Sequence, residues 1–231
     1  MRPDLRTSGF GGLPTIVKNL LIINGLVWLA QVTIGRNLFP IEENFALFYP
    51  KSYYFKPWQS LTYMFLHSPS SFLHILFNMF ALWMFGSTLE QLWGPKRFLF
   101  FYLLCGVGAA LVHMGALWYD ISRLEPMYNQ GLISAEAYYG QVNIPTMGAS
   151  GAVMGIFAAF AYTFPNSQLL LFPIPVPVKA KWALLGLAIF DLIGGVSNKQ
   201  SGVAHFAHLG GAAVGILILI LWNKRSRNTF F

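Results

Sequence analysis

Apolar runs of membrane-span length recur along most of the chain, separated by polar or aromatic stretches. They predict six spans, at about 14–35, 71–92, 97–119, 149–164, 180–196 and 203–222. A span needs about 20 apolar residues, so six of them leave room for little else. The first run is too long for a secretory signal and lacks a small-residue cleavage site, so it is read as a span. The lack of an internal repeat argues against a transporter built from paired halves. The fourth run is short: Ser150 to Phe164 spans about 22 Å as a helix, against a hydrocarbon core of about 30 Å. If this helix reaches one membrane surface, it starts several ångströms below the other. Its N-terminus must then open into a protein-lined cavity, because free backbone groups cannot face lipid.

Two connecting stretches differ in character. The first, about 36–70, carries Phe39, Phe45, Phe48, Tyr49, Tyr53, Tyr54, Phe55 and Trp58. Rings at this density favour the membrane–water interface, and the loop is predicted to lie half-embedded on the outer face. The second, about 120–147, is polar, lacks an apolar stripe and is expected to be exposed.

Composition strengthens the membrane assignment. Of 231 residues, 55% are hydrophobic and 10% charged, where soluble proteins carry about 25% charged residues. Mean hydropathy is +0.54. These values exclude a disordered chain, a coiled coil and an ordinary soluble enzyme. The net charge of +7 would suggest nucleic acid in a soluble protein, but here the basic residues sit at span ends and report topology. Arg2, Arg6, Lys18, Lys96, Arg97, Lys179, Lys181, Lys224, Arg225 and Arg227 fall on one side, ten in all; Arg36, Lys51, Lys56, Arg123 and Lys199 make five on the other. Both termini are therefore predicted cytoplasmic, with Glu42, Glu43, Asp120, Glu125 and Glu136 in outer loops. Cys105, the single cysteine, forms no intrachain disulfide and belongs to no metal-binding spacing.

Polar residues inside spans are functional candidates. Three groups qualify: His74 with Asn78 opening the second span, Gly148-Ala-Ser150-Gly151 opening the fourth, and His205-Phe-Ala-His208 with Gly211 in the sixth. All three spans run from outside to inside, so these groups share one depth near the outer surface. His74 and Asn78, four residues apart, project from one helix face. Gly151 with Gly155, and Gly211 with Gly215, form small-residue faces that let two helices approach closely. Ser150 and His208 flank those faces. A serine hydroxyl becomes a useful nucleophile when a base takes its proton, and either His208 or His205 could be that base. The Ser150 backbone N–H at a helix N-terminus, His74 and the Asn78 amide could serve a developing oxyanion. Asp191, toward the outer end of the fifth span, could orient a histidine but reads as a structural hydrogen bond; a dyad is expected. Glu90 is expected to anchor packing at the cytoplasmic end of the second span. His113 has no partner motif and reads as structural.

At these motifs the sequence resembles the rhomboid intramembrane serine proteases. The resemblance rests on Trp58, His67, His74-x-x-x-Asn78, Gly86 with Glu90, Gly148-Ala-Ser150-Gly151 and His208-x-x-Gly211-x-x-x-Gly215, in family order, and covers roughly residues 14–222. It implies an all-α, six-transmembrane-helix rhomboid-like bundle with a water-filled cavity open to the outside. It also implies a Ser150–His208 dyad that cleaves transmembrane substrates at or near their outer end. His208 rather than His205 matches the family histidine, through the glycines at plus three and plus seven. His74 and Asn78 map to the oxyanion region, with Trp58, Glu90, Gly148, Gly151, Gly211 and Gly215 in support. Lateral access would be controlled by the fifth and sixth helices and the first loop. The chain departs from the family pattern at Gln59, where many members have arginine, and at Met154, where some carry an aromatic ring.

The expectation is a single domain over 1–231: a short N-terminus 1–13, a membrane core 14–222 and a basic C-terminus 223–231. Its partners would be transmembrane protein substrates and the bilayer, not nucleic acid, with no metal or organic cofactor. The lack of large extra domains or a transit-like N-terminus favours a bacterial plasma membrane. Other classes fit less well. A non-catalytic binder of membrane proteins would not need an intact Ser–His pair. A metal site or transporter on His67, His74, His205 and His208 would lack an acidic ligand and any HExxH motif. An aspartyl protease needs two aspartates in spans, and Asp191 stands alone.

Overall fold

The computed structural model describes residues 12–35, 38–170, 176–197 and 204–227. The apolar runs are helical because a chain in lipid must satisfy its own backbone hydrogen bonds. In order the helices are α1 (Thr15–Thr33), α2 (Ile41–Phe45), α3 (Gln59–Thr62), α4 (Phe72–Ala81), α5 (Ser87–Trp93), α6 (Pro95–Asn129), α7 (Ala135–Val142), α8 (Ser150–Thr163), α9 (Ala180–Ser197) and α10 (His205–Arg227). A π turn over Leu82–Gly86 joins α4 to α5, so Phe72–Trp93 runs as one span. Among the described residues, five helices are long and apolar enough to cross a membrane, and α8 is a shorter apolar one. Two short strands, Gln168–Leu169 (β1) and Val178–Lys179 (β2), pair antiparallel between α8 and α9.

Helix α8 is the centre of the bundle. Its buried face packs against α6 and α10, with α9 and the π turn alongside. The core around it includes Tyr63, Met64, Phe101, Tyr102, Cys105 and Ile156, all at most 2% exposed. Between α5 and α6 the chain reverses at Gly94, whose φ of +81° suits glycine, and Pro95 starts the next helix with a preset φ. Glu90 ties the first two spans together: its carboxylate accepts from the Ile16 and Val17 N–H groups at 2.9 and 2.8 Å, capping the start of α1.

The two connecting stretches depart from expectation. The third span does not stop near 119; α6 continues to Asn129, 35 residues or about 52 Å. That exceeds a bilayer with its headgroups, about 40–45 Å. The stretch 120–147 is therefore not simply an exposed polar loop. It holds the end of α6 and all of α7, whose Ile121, Tyr138 and Val142 are buried together with Tyr49, and Tyr128 stacks on Tyr138 at 4.8 Å. In the first loop only some of the rings face outward. Phe48 and Tyr49 are buried, whereas Tyr53 and Trp58 are exposed. Lys51 donates to Glu125 at 2.6 Å, bracing the loop against α6, and the carboxylate holds the Lys51 amine above its ordinary pKa.

Candidate active site

The site is set by how closely α8 and α10 approach. A Cβ added at Gly211 would lie 1.8 Å from the Gly151 carbonyl oxygen, and one at Gly215 would lie 2.8 Å from that of Gly155. The backbones touch because neither helix has a side chain there. A Cβ at Gly151 would meet that of Ala109 on α6 at 2.5 Å, so the same residue also closes the α6 side.

This contact brings Ser150, the first residue of α8, beside His208 on the first turn of α10. Ser150 Oγ and His208 Nε2 are 2.8 Å apart. His208 Nδ1 lies 3.0 Å from Asp191 Oδ1 on α9, and His205 Nδ1 lies 2.8 Å from the same oxygen. A carboxylate oxygen only accepts, so both Nδ1 atoms carry the proton, and His208 Nε2 is left to accept from the serine hydroxyl. Asp191, treated in the sequence as a structural bond, thus touches the histidine that touches Ser150. Its spacing along the chain gives no hint of this, since the link joins two helices.

His74 and Asn78 lie opposite. The Ser68 backbone N–H donates to His74 Nδ1 at 3.3 Å, which places the ring proton on Nε2. That nitrogen sits over Gly148: a Cβ there would be 3.0 Å from His74 Nε2 and 3.6 Å from Ser150 Oγ. Gly148 also has φ of +135°, so glycine serves both the turn and the close approach. The Asn78 amide donates to the His74 carbonyl at 2.8 Å, holding the helix face that carries both side chains. Its second amide proton is available to the cavity, which Asn78 lines. The N–H groups of the first turn of α8 have no partner within the helix and add a partial positive charge at Ser150.

Other predicted residues occupy separate places. Trp58 donates from its indole to the Asn44 carbonyl at 3.0 Å, within the first loop. Beside it Gln59 is buried, donates to the Tyr54 carbonyl at 2.7 Å and accepts from the Lys56 N–H at 3.0 Å. A neutral amide therefore anchors the loop where arginine is common in the family. Glu90 lies at the far end of its span from Ser150. His67 is fully buried, its ring edge-on to His74 at 5.2 Å, and its backbone N–H donates to the Gln31 side chain at 2.9 Å. His113, read as structural, bonds the Thr146 hydroxyl at 2.8 Å and also lines the cavity.

Ser150, His208, His74, Asn78 and Met154 face one open cavity of about 1570 Å³. It extends along α6 past Leu117 and Leu124, and between Phe77 on α4 and Phe190 on α9. It is large enough for several residues of a polypeptide and reaches the end of α6.

Comparison with known proteins identifies the family. Residues 54–225 match the family described as Rhomboid domain. The chain is 31% identical over 218 residues to rhomboid protease AarA of Providencia stuartii, covering 91% of this chain and 73% of the relative. Identity to the mitochondrial rhomboid protein 1 of Saccharomyces cerevisiae is 33% over 151 residues, 65% of this chain but 38% of that protein. Identity to the chloroplastic rhomboid-like protein 11 of Arabidopsis thaliana is 30% over 227 residues, 87% and 66% of the two chains. With a mostly helical membrane bundle and a match across most of its length, this chain belongs to the rhomboid family.

Proposed function

We propose that this protein is an intramembrane serine endopeptidase that cleaves transmembrane proteins at or near the outer membrane face through a Ser150–His208 pair and an acyl-enzyme. The observation that carries this reading is the 2.8 Å contact of Ser150 Oγ with His208 Nε2 at the wall of the large cavity. Membership of the rhomboid family and similarity to a named rhomboid protease support the protease class.

Ser150 Oγ attacks the scissile carbonyl carbon as its proton passes to His208 Nε2. The carbonyl oxygen becomes an oxyanion, which the Ser150 N–H, the His74 Nε2–H and the free proton of the Asn78 amide are positioned to receive. His208 returns the proton to the leaving amine, the C–N bond breaks, and the acyl group stays on Ser150. Water then attacks the ester with the same histidine as base, releasing the acid and restoring the hydroxyl. This sequence needs neither metal nor organic cofactor. A substrate span reaches Ser150 from the membrane between α4 and α9, where the exposed apolar Phe77 and Phe190 line the cavity.

The excess of basic residues on one side supports a reading with both termini cytoplasmic and the cavity mouth outside. The bacterial relative supports a plasma-membrane location, although mitochondrial and chloroplastic relatives share the family. The test uses purified protein in liposomes, a fluorophosphonate probe and a reporter transmembrane substrate. Labelling and cleavage are expected for the parent, lost in Ser150→Ala and His208→Ala, and partly retained in His205→Ala. A folded parent that neither labels nor cleaves refutes the protease.

A further inference from the structure

We infer that Asp191 is a positioning residue for His208 and that His205 in turn holds Asp191, making a four-member chain Ser150–His208–Asp191–His205. This inference rests on the proposed Ser150–His208 chemistry and extends it to a third helix. A carboxylate within a span is costly unless it is paired or hydrogen-bonded. Asp191 is 4% exposed, and one of its oxygens accepts both Nδ1–H groups, at 2.8 and 3.0 Å. A bond made merely to tie α9 to α10 would be complete with His205 alone. The second bond, to His208, fixes the tautomer whose Nε2 accepts from Ser150 and fixes the ring plane that aims it.

The local sequence is shaped around this contact. Gly194 lies one helical turn beyond Asp191, and a Cβ there would fall 2.6 Å from the His205 ring; one at Gly195 would fall 2.9 Å from the Phe206 ring. Two successive glycines thus let the end of α9 lie directly against the start of α10, which brings the carboxylate within reach of both imidazoles. During the reaction the proton leaving Ser150 goes to His208 Nε2. Asp191 stays ionised and faces the imidazolium across the Nδ1–H bond, so no proton needs to pass to it.

The experiment combines kinetics with a spectrum that does not depend on turnover. Asp191→Asn keeps the size but offers an amide, which can donate to Nδ1 and so favours the wrong tautomer. Its kcat is expected to fall about 10²- to 10⁴-fold with KM within threefold, by analogy with the same change in soluble triads. Asp191→Glu, which restores the charge, should recover at least tenfold of that loss. A purely structural tie would not give a kcat-specific defect rescued by charge. An Asp191→Asn kcat within threefold of the parent overturns the inference.

A proton shared between imidazole Nδ1 and a carboxylate resonates at unusually low field. In inactive but folded Ser150→Ala/His205→Asn protein, one such resonance is expected from His208, and it should vanish on adding Asp191→Asn. Its absence from the folded double variant overturns the inference without reference to cleavage. An inactive parent, with the resonance present in the double variant, refutes the protease and leaves the positioning contact standing.

Discussion

Gly211→Ala tests whether backbone contact between α8 and α10 sets the Ser150–His208 pair. The new Cβ would start 1.8 Å from the Gly151 carbonyl oxygen and 2.7 Å from its carbon. An ordinary contact needs about 3.5 Å, so the helices must part by roughly 1.5 Å at that point. The obstacle is backbone, so no rotamer change relieves it. Ser150 is adjacent to Gly151, and His208 lies about one turn before Gly211, so the opening reaches the pair. A separation of 2.8 Å becomes roughly 4 Å, outside hydrogen-bond range. Losing the base should slow probe labelling by about 10²-fold or more, and overpacking should cost about 1–3 kcal/mol. The assay follows labelling rate and thermal midpoint in the same micelles. Gly186→Ala on α9 is the control: nothing lies within 4 Å of its new Cβ, and alanine should add about 0.5–1 kcal/mol to the helix. A Gly211→Ala protein labelling within threefold of the parent at an unchanged midpoint would refute the reasoning.

Glu90→Ala removes the acceptor of two N–H groups at the start of α1 and should cost about 2–4 kcal/mol in detergent unfolding, with activity per folded molecule retained. His74→Ala should lower kcat by about 10²–10³-fold with KM within threefold, the pattern for loss of an oxyanion donor; an unchanged kcat would remove His74 from that role. Glu125→Gln breaks an exposed ion pair with Lys51 and should leave the thermal midpoint almost unchanged. A larger loss would show that the outer end of α6 depends on that single tie.

Most of the span positions were legible because lipid leaves the chain few choices. Long apolar runs become helices, and Gly151, Gly155, Gly211 and Gly215 announce a close helix pair through their spacing alone. The end of α6 was hidden for a physical reason. Asp120, Arg123, Glu125 and Pro126 break the hydrophobic run, yet a helix outside the membrane tolerates charges and can carry proline near its end. Helix α7 was hidden by its tyrosines, which pack on Tyr49 and Tyr128 instead of forming an aliphatic stripe. Its start was marked, however, by the Ser134 cap, whose hydroxyl oxygen accepts from the Ala137 N–H at 3.1 Å. At the site, Ser150 and a histidine at the start of α10 could be picked by depth and by neighbouring glycines, while the choice of His208 over His205 came from the family resemblance. The Asp191 bond could not, because it depends on how far α9 slides along α10, which no periodicity encodes.

The shortness of α8 bears on how the protein is made. Its 14 residues span about 21 Å, and nine of them are buried inside the bundle, most of them glycine, alanine or valine. Such a segment offers lipid little apolar surface and cannot bridge the hydrocarbon core on its own. It leaves the ribosome before α9 and α10, so its resting place does not exist when it first meets the membrane. The helix carrying Ser150 can settle only after α10 arrives to enclose it. A nascent chain interrupted before that point leaves a serine with no partner histidine, and a serine hydroxyl without a base is a poor nucleophile.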